Sequence, residues 1–288
     1  MKRRSRILLR LGVAFLCAIA IMAGFRRFEH RQVYYPSRIL ESSPAALGMR
    51  SEDVFIPVEN GQSINAWYFP ATTRSTATDG CVFLYCHGNA GNIGDRLGMT
   101  QSLLQAGASV LQYDYRGYGR SAGEPGEENT QRDAQAAFRW LVDRGFPARR
   151  IIAYGESLGG GVASELAIRE QIGGLVLHST FTSIPDLGSE LFPWLPVRLA
   201  GSIRYDTLSK LPRIRVPVLV LHSRSDDLIR YRHAERNFAA ANDPKFFCEL
   251  AGSHGESIGE LPSAAQEAVR KFLALVSTNA SVPAKIQK

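Results

Sequence analysis

The amino-acid sequence predicts an α/β domain in which a mostly parallel central sheet carries helices on both faces. Three observations support this fold class. Strand-like apolar runs alternate with helix-like runs from residue 81 to residue 276, which is typical of parallel strands joined by right-handed crossovers. Two β-rich runs flank an Asn60-Gly61 turn. Finally, Ser157 stands between a strand-like and a helix-like run, with a glycine two residues to either side.

The composition is that of an ordinary globular protein. The chain has 288 residues, of which 45% are hydrophobic and 21% are charged. This length suffices for one large domain with a well-buried core. The composition argues against a disordered protein and against a membrane protein with many spans.

The excess positive charge is confined to the amino terminus. The net charge is +7, but residues 1–38 hold nine basic residues and one acidic residue, whereas the rest of the chain holds 25 basic and 26 acidic residues. A nucleic-acid-binding protein would need a basic face on its folded domain. We therefore expect no nucleic acid among the partners of this protein.

Residues 1–38 form a basic leader with an apolar segment over residues 7–25. Because Arg10 can extend its side chain toward the surface, this segment reaches the roughly 20 residues that span a bilayer core. Ala18 and Ala20 resemble a signal-peptidase site, but the apolar run continues beyond them. We expect a single-pass membrane anchor. The alternatives are an exported protein with a cleaved signal and, less favoured, a buried helix.

The folded domain is expected to span residues 39–277. It opens with an antiparallel hairpin of residues 54–58 and 63–69, because Asn-Gly between two β-rich runs is a strong hairpin signal. The remaining strands are predicted at 81–86, 109–113, 151–154, 175–178, 216–222 and 245–250, and helices near 95–105, 130–144, 158–170, 231–241 and 262–276. Such alternation places ligands at the carboxyl ends of the strands.

One segment interrupts the alternation. Residues 181–215 are rich in proline and lie between two strands where a single helix would suffice. We interpret this segment as a small cap over the strand ends. Its Phe192, Trp194 and Leu195 either line an apolar pocket or pack the cap onto the domain. The last residues, 278–288, are predicted to be a flexible tail.

Ser157 is the candidate nucleophile. Together with Gly155 and Gly159 it fits Gly-x-Ser-x-Gly, a pattern in which a serine occupies a sharp strand-to-helix turn and its neighbours must be small because strand and helix nearly touch. The amino terminus of the helix adds partial positive charge near a developing oxyanion. The other interpretation is a serine that only begins a helix.

A serine nucleophile requires a base and a group that orients the base. His254 lies in a glycine-flanked loop after the last predicted strand, from which it can reach across the strand ends. The acid is expected in the loop after the preceding strand, where Asp226 and Asp227 both qualify and the spacing slightly favours Asp226. The other carboxylate would cap a helix or lie at the surface.

An oxyanion hole requires two backbone N–H donors, one directly after the nucleophile and one in the loop after an earlier strand. Leu158 supplies the first by its position. The loop "CHGNAGN" supplies the second, at Asn89 or alternatively at Ala90. His87 in this loop is expected to hold the loop in shape rather than to act as a base.

Together these motifs resemble those of the α/β-hydrolase fold serine hydrolases. "YCHGNAGN", "DYRGYGRSAGEP", "GESLGGG", "LHSTFTS", "LHSRSDDLI" and "AGSHGE" follow the family's order over residues 52–277. The resemblance is greatest to a membrane-anchored subgroup that includes eukaryotic α/β-hydrolase-domain depalmitoylases and serine aminopeptidase-like bacterial proteins. It implies Ser157 as nucleophile, Asp226 as acid and His254 as base. Ser223 and Asp227 depart from the family's pattern, which prefers Gly and Glu there.

The motifs predict a serine hydrolase that cleaves a carboxylic ester or thioester, with a small-molecule or lipid-like acyl substrate, through an acyl-enzyme on Ser157. The alternative is a serine peptidase of the aminopeptidase type. A third hypothesis is a non-catalytic binding protein on the same fold, which is disfavoured because candidates for nucleophile, acid and base are all present. This chemistry requires no metal and no organic cofactor.

Overall fold

The computed structural model describes residues 2–71 and 80–280. The helices are α1 (Lys2–Val33), α2 (Leu97–Gln105), α3 (Glu127–Asp143), α4 (Leu158–Arg169), α5 (Ile184–Leu191), α6 (Val197–Ala200), α7 (Thr207–Lys210), α8 (Arg232–Ala240), α9 (His254–Ser257) and α10 (Ser263–Ala280). The strands are β1 (Tyr35–Pro36), β2 (Glu52–Pro57), β3 (Ser63–Phe69), β4 (Val82–Cys86), β5 (Ala90–Gly91), β6 (Ser109–Tyr113), β7 (Ile151–Glu156), β8 (Gly174–His178), β9 (Val218–Ser223) and β10 (Lys245–Leu250).

The main sheet has eight strands in the order β10-β9-β8-β7-β4-β6-β3-β2. The strands from β10 to β6 pair in parallel. By contrast, β3 is antiparallel to β6, and β2 is antiparallel to β3. The chain reverses between β2 and β3 at Asn60, whose φ of 59° is a value that asparagine tolerates better than most residues. The predicted fold class, a mostly parallel sheet opened by a hairpin, is confirmed.

The sheet is buried on both faces. On β4, Leu84 belongs to one apolar core together with Val162 of α4. The next residue back, Phe83, belongs to a second core with Leu103 of α2 and Leu273 of α10. Alternate side chains of a strand face opposite sides, so a strand that is apolar at every position needs helices on both faces.

The cap segment forms three short helices, α5 to α7, after the carboxyl end of β8. Pro185 lies in the first turn of α5 and Pro196 directly precedes α6, which are positions that proline tolerates, unlike a helix interior. Tyr205 attaches the cap to the domain. Its hydroxyl contacts that of Thr130 at 2.7 Å, and a Cβ on Gly161 of α4 would lie only 2.7 Å from the Cβ of Tyr205.

Helix α1 projects from the domain. Its Leu9–Val33 part is long and apolar enough to cross a membrane: its most apolar 18-residue window has a mean hydropathy of 1.8 and is not buried in the protein. Because this window is not buried, the buried-helix alternative for the leader is wrong. A signal sequence has the same apolar character. From Leu9 onward, the part of α1 that contacts the domain is its last turns, where Glu29 and Val33 are buried.

Two features of the fold differ from the sequence-based expectation. Tyr35–Pro36 and Ala90–Gly91 pair in parallel as a two-stranded sheet, which is too short to leave a periodic pattern in the sequence. Helix α10 runs to Ala280, past the expected start of the tail, because the sequence contains no glycine or proline between Pro262 and Pro283. The remainder of the predicted tail, 281–288, lies outside the described residues.

Candidate active site

Ser157 occupies the sharp turn between β7 and α4. Its φ of 51° and ψ of −115° are strained for a residue with a side chain. The turn is tight because a Cβ on Gly155 would lie 2.5 Å from the Gly159 carbonyl oxygen, and one on Gly159 would lie 2.0 Å from that of Cys86. The two glycines therefore have the steric role that the motif predicts.

Three side chains from distant parts of the chain meet at this turn. The Ser157 hydroxyl lies 3.2 Å from Nε2 of His254, and Nδ1 of His254 lies 2.8 Å from Oδ2 of Asp226. All three residues are buried. The predicted nucleophile, base and acid thus form one continuous line of hydrogen bonds across the carboxyl ends of β7 and β9.

Asp226 is held as a carboxylate. Its Oδ1 accepts hydrogen bonds from the N–H groups of Leu228 and Ile229, at 3.0 and 2.7 Å. Burial opposes ionisation, but the hydrogen bond and charge of His254 and the Ile229 N–H outweigh it and lower the pKa of Asp226 below its usual value. With Oδ1 held by the backbone, Oδ2 is left to orient the imidazole.

Asp227 holds the backbone of the histidine. Its Oδ1 accepts a hydrogen bond from the His254 N–H at 2.9 Å, which gives this carboxylate a helix-capping role. His254 was expected in a loop, but it begins the four-residue helix α9. The helix forms because the Ser253 N–H donates to the Glu256 carboxylate at 2.8 Å, which is half of a capping box.

Two further histidines lie beneath the site and are neutral. His222 donates from Nε2 to the Ile229 carbonyl at 2.8 Å, and His178 meets the Tyr154 hydroxyl through Nδ1 at 2.6 Å. Burial lowers the pKa of His222, and it lowers that of His178 to about 3. These residues form no metal site: within residues 2–71 and 80–280, no cluster of three or more His, Cys, Asp or Glu side chains could hold an ion.

The loop after β4 lies against the nucleophile, since a Cβ on Gly88 would be 3.5 Å from Cβ of Ser157. The His87 ring donates from Nδ1 to the Gly88 carbonyl at 2.7 Å. In a trans peptide the N–H points away from the carbonyl, so this bond also fixes the direction of the Asn89 N–H. Burial lowers the pKa of His87 to about 3, as suits the structural role predicted for it.

Sequence reasoning missed Glu156, which is fully buried directly before the nucleophile. Its Oε1 accepts hydrogen bonds from the Gly88 N–H at 3.2 Å and from Nε of Arg96 at 3.0 Å, and the Tyr85 hydroxyl donates to Oε2. Arg96 also donates to the Ala90 carbonyl at 3.0 Å. A signal was present, because a glutamate at the end of an apolar strand requires buried partners.

Of the three cap residues expected to line an apolar pocket or to pack the cap onto the domain, two line an apolar groove. Phe192 and Leu195 line an apolar groove that they share with Phe25 and Phe28 of α1. Trp194 is 74% exposed. The groove therefore lies between the cap and α1, because its lining residues come from these two parts alone.

Comparison with known proteins identifies the family. Residues 77–205 match the family described as serine aminopeptidase, S33. An uncharacterized protein of Mycobacterium tuberculosis is 34% identical over 274 residues, which cover 94% of this chain and 96% of that protein. The α/β-hydrolase domain-containing protein WAV2 of Arabidopsis thaliana is 31% identical over 258 residues, which cover 81% of this chain and 80% of that protein. The chain belongs to the α/β-hydrolase family.

Solved structures agree with the fold of this α/β hydrolase. An esterase of Pyrococcus furiosus is 22% identical and has a TM-score of 0.65, with 85% of this hydrolase and 98% of the esterase covered. An α/β hydrolase of Vibrio vulnificus is 20% identical and has a TM-score of 0.64, with 80% and 82% covered. These structures confirm the fold, and the relatives of 31% and 34% identity confirm the family that the sequence motifs resemble.

Proposed function

We propose that this α/β hydrolase is a serine hydrolase that cleaves a carboxylic ester or thioester through an acyl-enzyme on Ser157. The observation that carries the proposal is the line of hydrogen bonds from Ser157 through His254 to Asp226, at 3.2 and 2.8 Å. A serine hydroxyl is a weak nucleophile until a base removes its proton, and the base must be held in one orientation.

The reaction has two halves. In the first, Ser157 Oγ attacks the carbonyl carbon while Nε2 of His254 takes the hydroxyl proton, and the imidazolium is stabilised by Asp226. His254 then gives this proton to the departing alcohol or thiol, which leaves the acyl group on Ser157. In the second half His254 takes a proton from water and the resulting hydroxide attacks the acyl carbonyl carbon. His254 then returns the proton to Ser157 Oγ as the bond between this oxygen and the acyl carbon breaks and the carboxylic acid leaves.

The negative charge that develops on the carbonyl oxygen is stabilised by two backbone donors. The N–H of Leu158 is one, since the first N–H groups of a helix have no partner inside that helix. The N–H of Asn89 is the other, and its direction is supported by the bond between His87 and the Gly88 carbonyl at 2.7 Å. Removing one such donor typically costs about 100- to 1,000-fold in kcat.

We propose further that α1 anchors the enzyme in a membrane as a single span. The length and mean hydropathy of Leu9–Val33 support this location. The unbroken helix from the span into the turns that pack on the cap supports an anchor that stays attached. A substrate with an acyl chain dissolved in that membrane suits the location.

A fluorophosphonate probe tests the proposal on the full-length protein in detergent. The probe phosphonylates a serine only when that serine is activated, so we expect labelling of Ser157 that disappears in Ser157→Ala and falls at least about 100-fold in rate in His254→Ala. The matched control is Ser164→Ala, which removes another buried serine of the same region and retains labelling. A folded wild-type protein that reacts no faster than Ser157→Ala would refute the assignment.

A serine peptidase is the second candidate, and the family description matched by residues 77–205 favours it. Both activities use the same nucleophile, so the choice depends on the leaving group. Turnover of p-nitrophenyl acyl esters and aminoacyl-anilides should be compared on wild type and Ser157→Ala. Serine-dependent turnover of the esters alone agrees with the proposal, whereas a preference for the anilides would replace it with the peptidase.

A further inference from the structure

The end of α1 packs against the cap. The helix runs without a break from Phe25 to Val33. The Glu29 carboxylate accepts hydrogen bonds from the N–H and hydroxyl of Ser202, at 2.9 and 2.7 Å, and from the N–H of Ile203 at 3.2 Å. Phe28 meets Phe192 edge to face, with ring centroids 5.8 Å apart. The cap therefore has a fixed position relative to α1.

The sequence of α1 indicates where this junction lies relative to a bilayer. Its uncharged run ends at Phe25, and the first charges after it are Arg26 and Arg27. Phe28 lies three residues beyond Phe25, which is about 4.5 Å along the helix axis at 1.5 Å per residue. A bilayer is about 40–45 Å thick overall and its hydrocarbon core is about 30 Å thick, so each of the two interfacial layers is roughly 5–8 Å thick. Contact at Phe28 puts the cap within that layer.

The surface of the cap beside this junction has the composition of a membrane interface. Leu191, Trp194 and Leu199 are 46%, 74% and 87% exposed, although water-facing positions usually carry polar side chains. Trp194 adjoins Phe192 at 6.4 Å between ring centroids. Tryptophan is enriched where protein crosses the interface, since its ring is apolar and its N–H polar.

Basic and apolar groups complete this surface. Arg198 of α6, which is paired with Asp186 at 3.0 Å, and Arg204 are exposed on the cap, and Arg27 and Arg31 are exposed on α1. Cations therefore occur on the same two parts of the molecule as the apolar residues, and they suit anionic lipid headgroups. The groove between α1 and the cap is lined by Phe25, Phe28, Leu187, Leu191, Phe192 and Leu195, which continues the apolar surface inward.

We propose that the cap face formed by Leu191, Trp194 and Leu199 docks on the lipid bilayer in which α1 is inserted, so that the cap lies in the headgroup layer. This inference goes beyond the proposed hydrolase chemistry and is independent of it. The partner is a lipid surface: the apolar residues contact the outer ends of the acyl chains, and the arginines contact phosphate groups.

The fluorescence of Trp194 tests the proposal on the full-length protein in phosphatidylcholine liposomes. The chain has three tryptophans, and the emission of wild type minus that of Trp194→Phe isolates Trp194. We expect lipids that carry a nitroxide near the headgroup to quench most of this emission, and iodide in the water to quench little of it. Neither readout requires catalysis, so a failed hydrolase assay would not alter the result.

Two more variants protect the test against a local artefact. In the Trp194→Phe background, Leu199→Trp should again be quenched by the nitroxide lipid. Phe55→Trp, at a 51% exposed position on the outer strand β2, should be quenched by iodide instead. Quenching of Trp194 by iodide and not by the nitroxide lipid would overturn the proposal, as would failure of the protein to float with the liposomes.

Discussion

Glu156 connects the nucleophile turn to the loop after β4. One of its oxygens accepts from both the Gly88 N–H and the Arg96 guanidinium, at 3.2 and 3.0 Å. Arg96 in turn donates to the Ala90 carbonyl. The residues before and after Asn89 are thereby tied to the residue that precedes Ser157, Gly88 directly and Ala90 through Arg96. We infer that Glu156 and Arg96 are positioning residues that set the distance between the oxyanion donors and the nucleophile.

Glu156→Gln should therefore reduce kcat more than it changes KM. The amide keeps the size of the side chain but loses the charge that pairs with Arg96, so the loop is held less firmly. A displacement of about 1 Å can cost about 100-fold in rate, and we expect a fall in kcat of about 10- to 100-fold. Steady-state kinetics with a p-nitrophenyl ester on the full-length enzyme measure both constants.

A matched control separates this effect from general damage. Glu165 of α4 is ion-paired with Lys210 and Arg169, and Glu165→Gln also removes an ion-paired carboxylate, but outside the site. It should leave kcat within about twofold of wild type, since neither Glu165 nor its partners Lys210 and Arg169 contact the site. Equal losses of kcat in the two variants, or a loss that matches the fraction of unfolded protein, would show that Glu156 has no positioning role.

At the scale of elements, the Glu29 carboxylate supplies hydrogen bonds to the contact between α1 and the cap. Glu29→Ala leaves the Ile203 N–H without its acceptor, and Ile203 is buried. An unsatisfied buried donor costs about 1–3 kcal/mol. We expect the free energy of unfolding of the cap to fall by about that amount, which hydrogen exchange of the Ser202 and Ile203 amides measures directly.

Glu41→Ala provides the comparison for this experiment. Glu41 is exposed in the segment between β1 and β2, and surface substitutions usually change stability by less than about 0.5 kcal/mol. Exchange at Ser202 and Ile203 should be the same as in wild type. Unchanged protection of these two amides in Glu29→Ala would mean that other contacts hold α1 on the cap.

The elements that the sequence predicts are those with local signals. The Asn60-Gly61 turn, the apolar run of β4 and the glycines around Ser157 each specify their conformation within a few residues. The elements it misses depend on partners far along the chain. Tyr35–Pro36 becomes a strand only because it pairs with Ala90–Gly91. A run of two residues has no period of its own.

The same distinction applies to the site. Candidates for nucleophile, acid and base could be predicted because each lies in a recognisable turn after a strand, in a fixed order along the chain. Spacing favours Asp226 over Asp227 only slightly, since adjacent residues share one loop, and the preference for Asp226 comes mainly from the family resemblance. The structure gives the two carboxylates different contacts: Asp226 meets the His254 ring, and Asp227 meets its backbone N–H.

For the whole molecule, the buried histidines make stability depend on pH. Burial lowers the pKa of His178 from 6.5 to about 3, so between these values the unfolded chain binds a proton that the folded protein does not. The stability associated with a neutral His178 is complete above pH 6.5 and is lost as the pH falls toward 3. His178→Gln removes this dependence. As the pH falls from about 7 to about 4, the free energy of unfolding of His178→Gln minus that of wild type should rise by an amount on the order of 1 kcal/mol or more.

Asp114 should show the opposite slope. Burial raises its pKa from 3.8 to about 8, so it costs stability increasingly as the pH rises through that range. The free energy of unfolding of Asp114→Asn should therefore increase relative to that of wild type as the pH rises. For His178→Gln the same difference should increase as the pH falls. Urea unfolding of the three proteins at several pH values measures both slopes. Parallel pH dependence in His178→Gln and wild type would exclude the histidine as the cause.

The short ladder between Tyr35–Pro36 and Ala90–Gly91 has a practical consequence. The Tyr35 N–H donates to the Asn89 carbonyl and the Ser37 N–H to the Gly91 carbonyl, both at 3.0 Å. The segment that follows the proposed membrane anchor and the loop that would stabilise the reaction intermediate are thus joined by backbone hydrogen bonds. Cutting the chain before residue 38 to obtain a soluble enzyme removes one of the two strands of that ladder, Tyr35–Pro36. We therefore expect the product to have an altered active site, and not to be the same enzyme without its anchor.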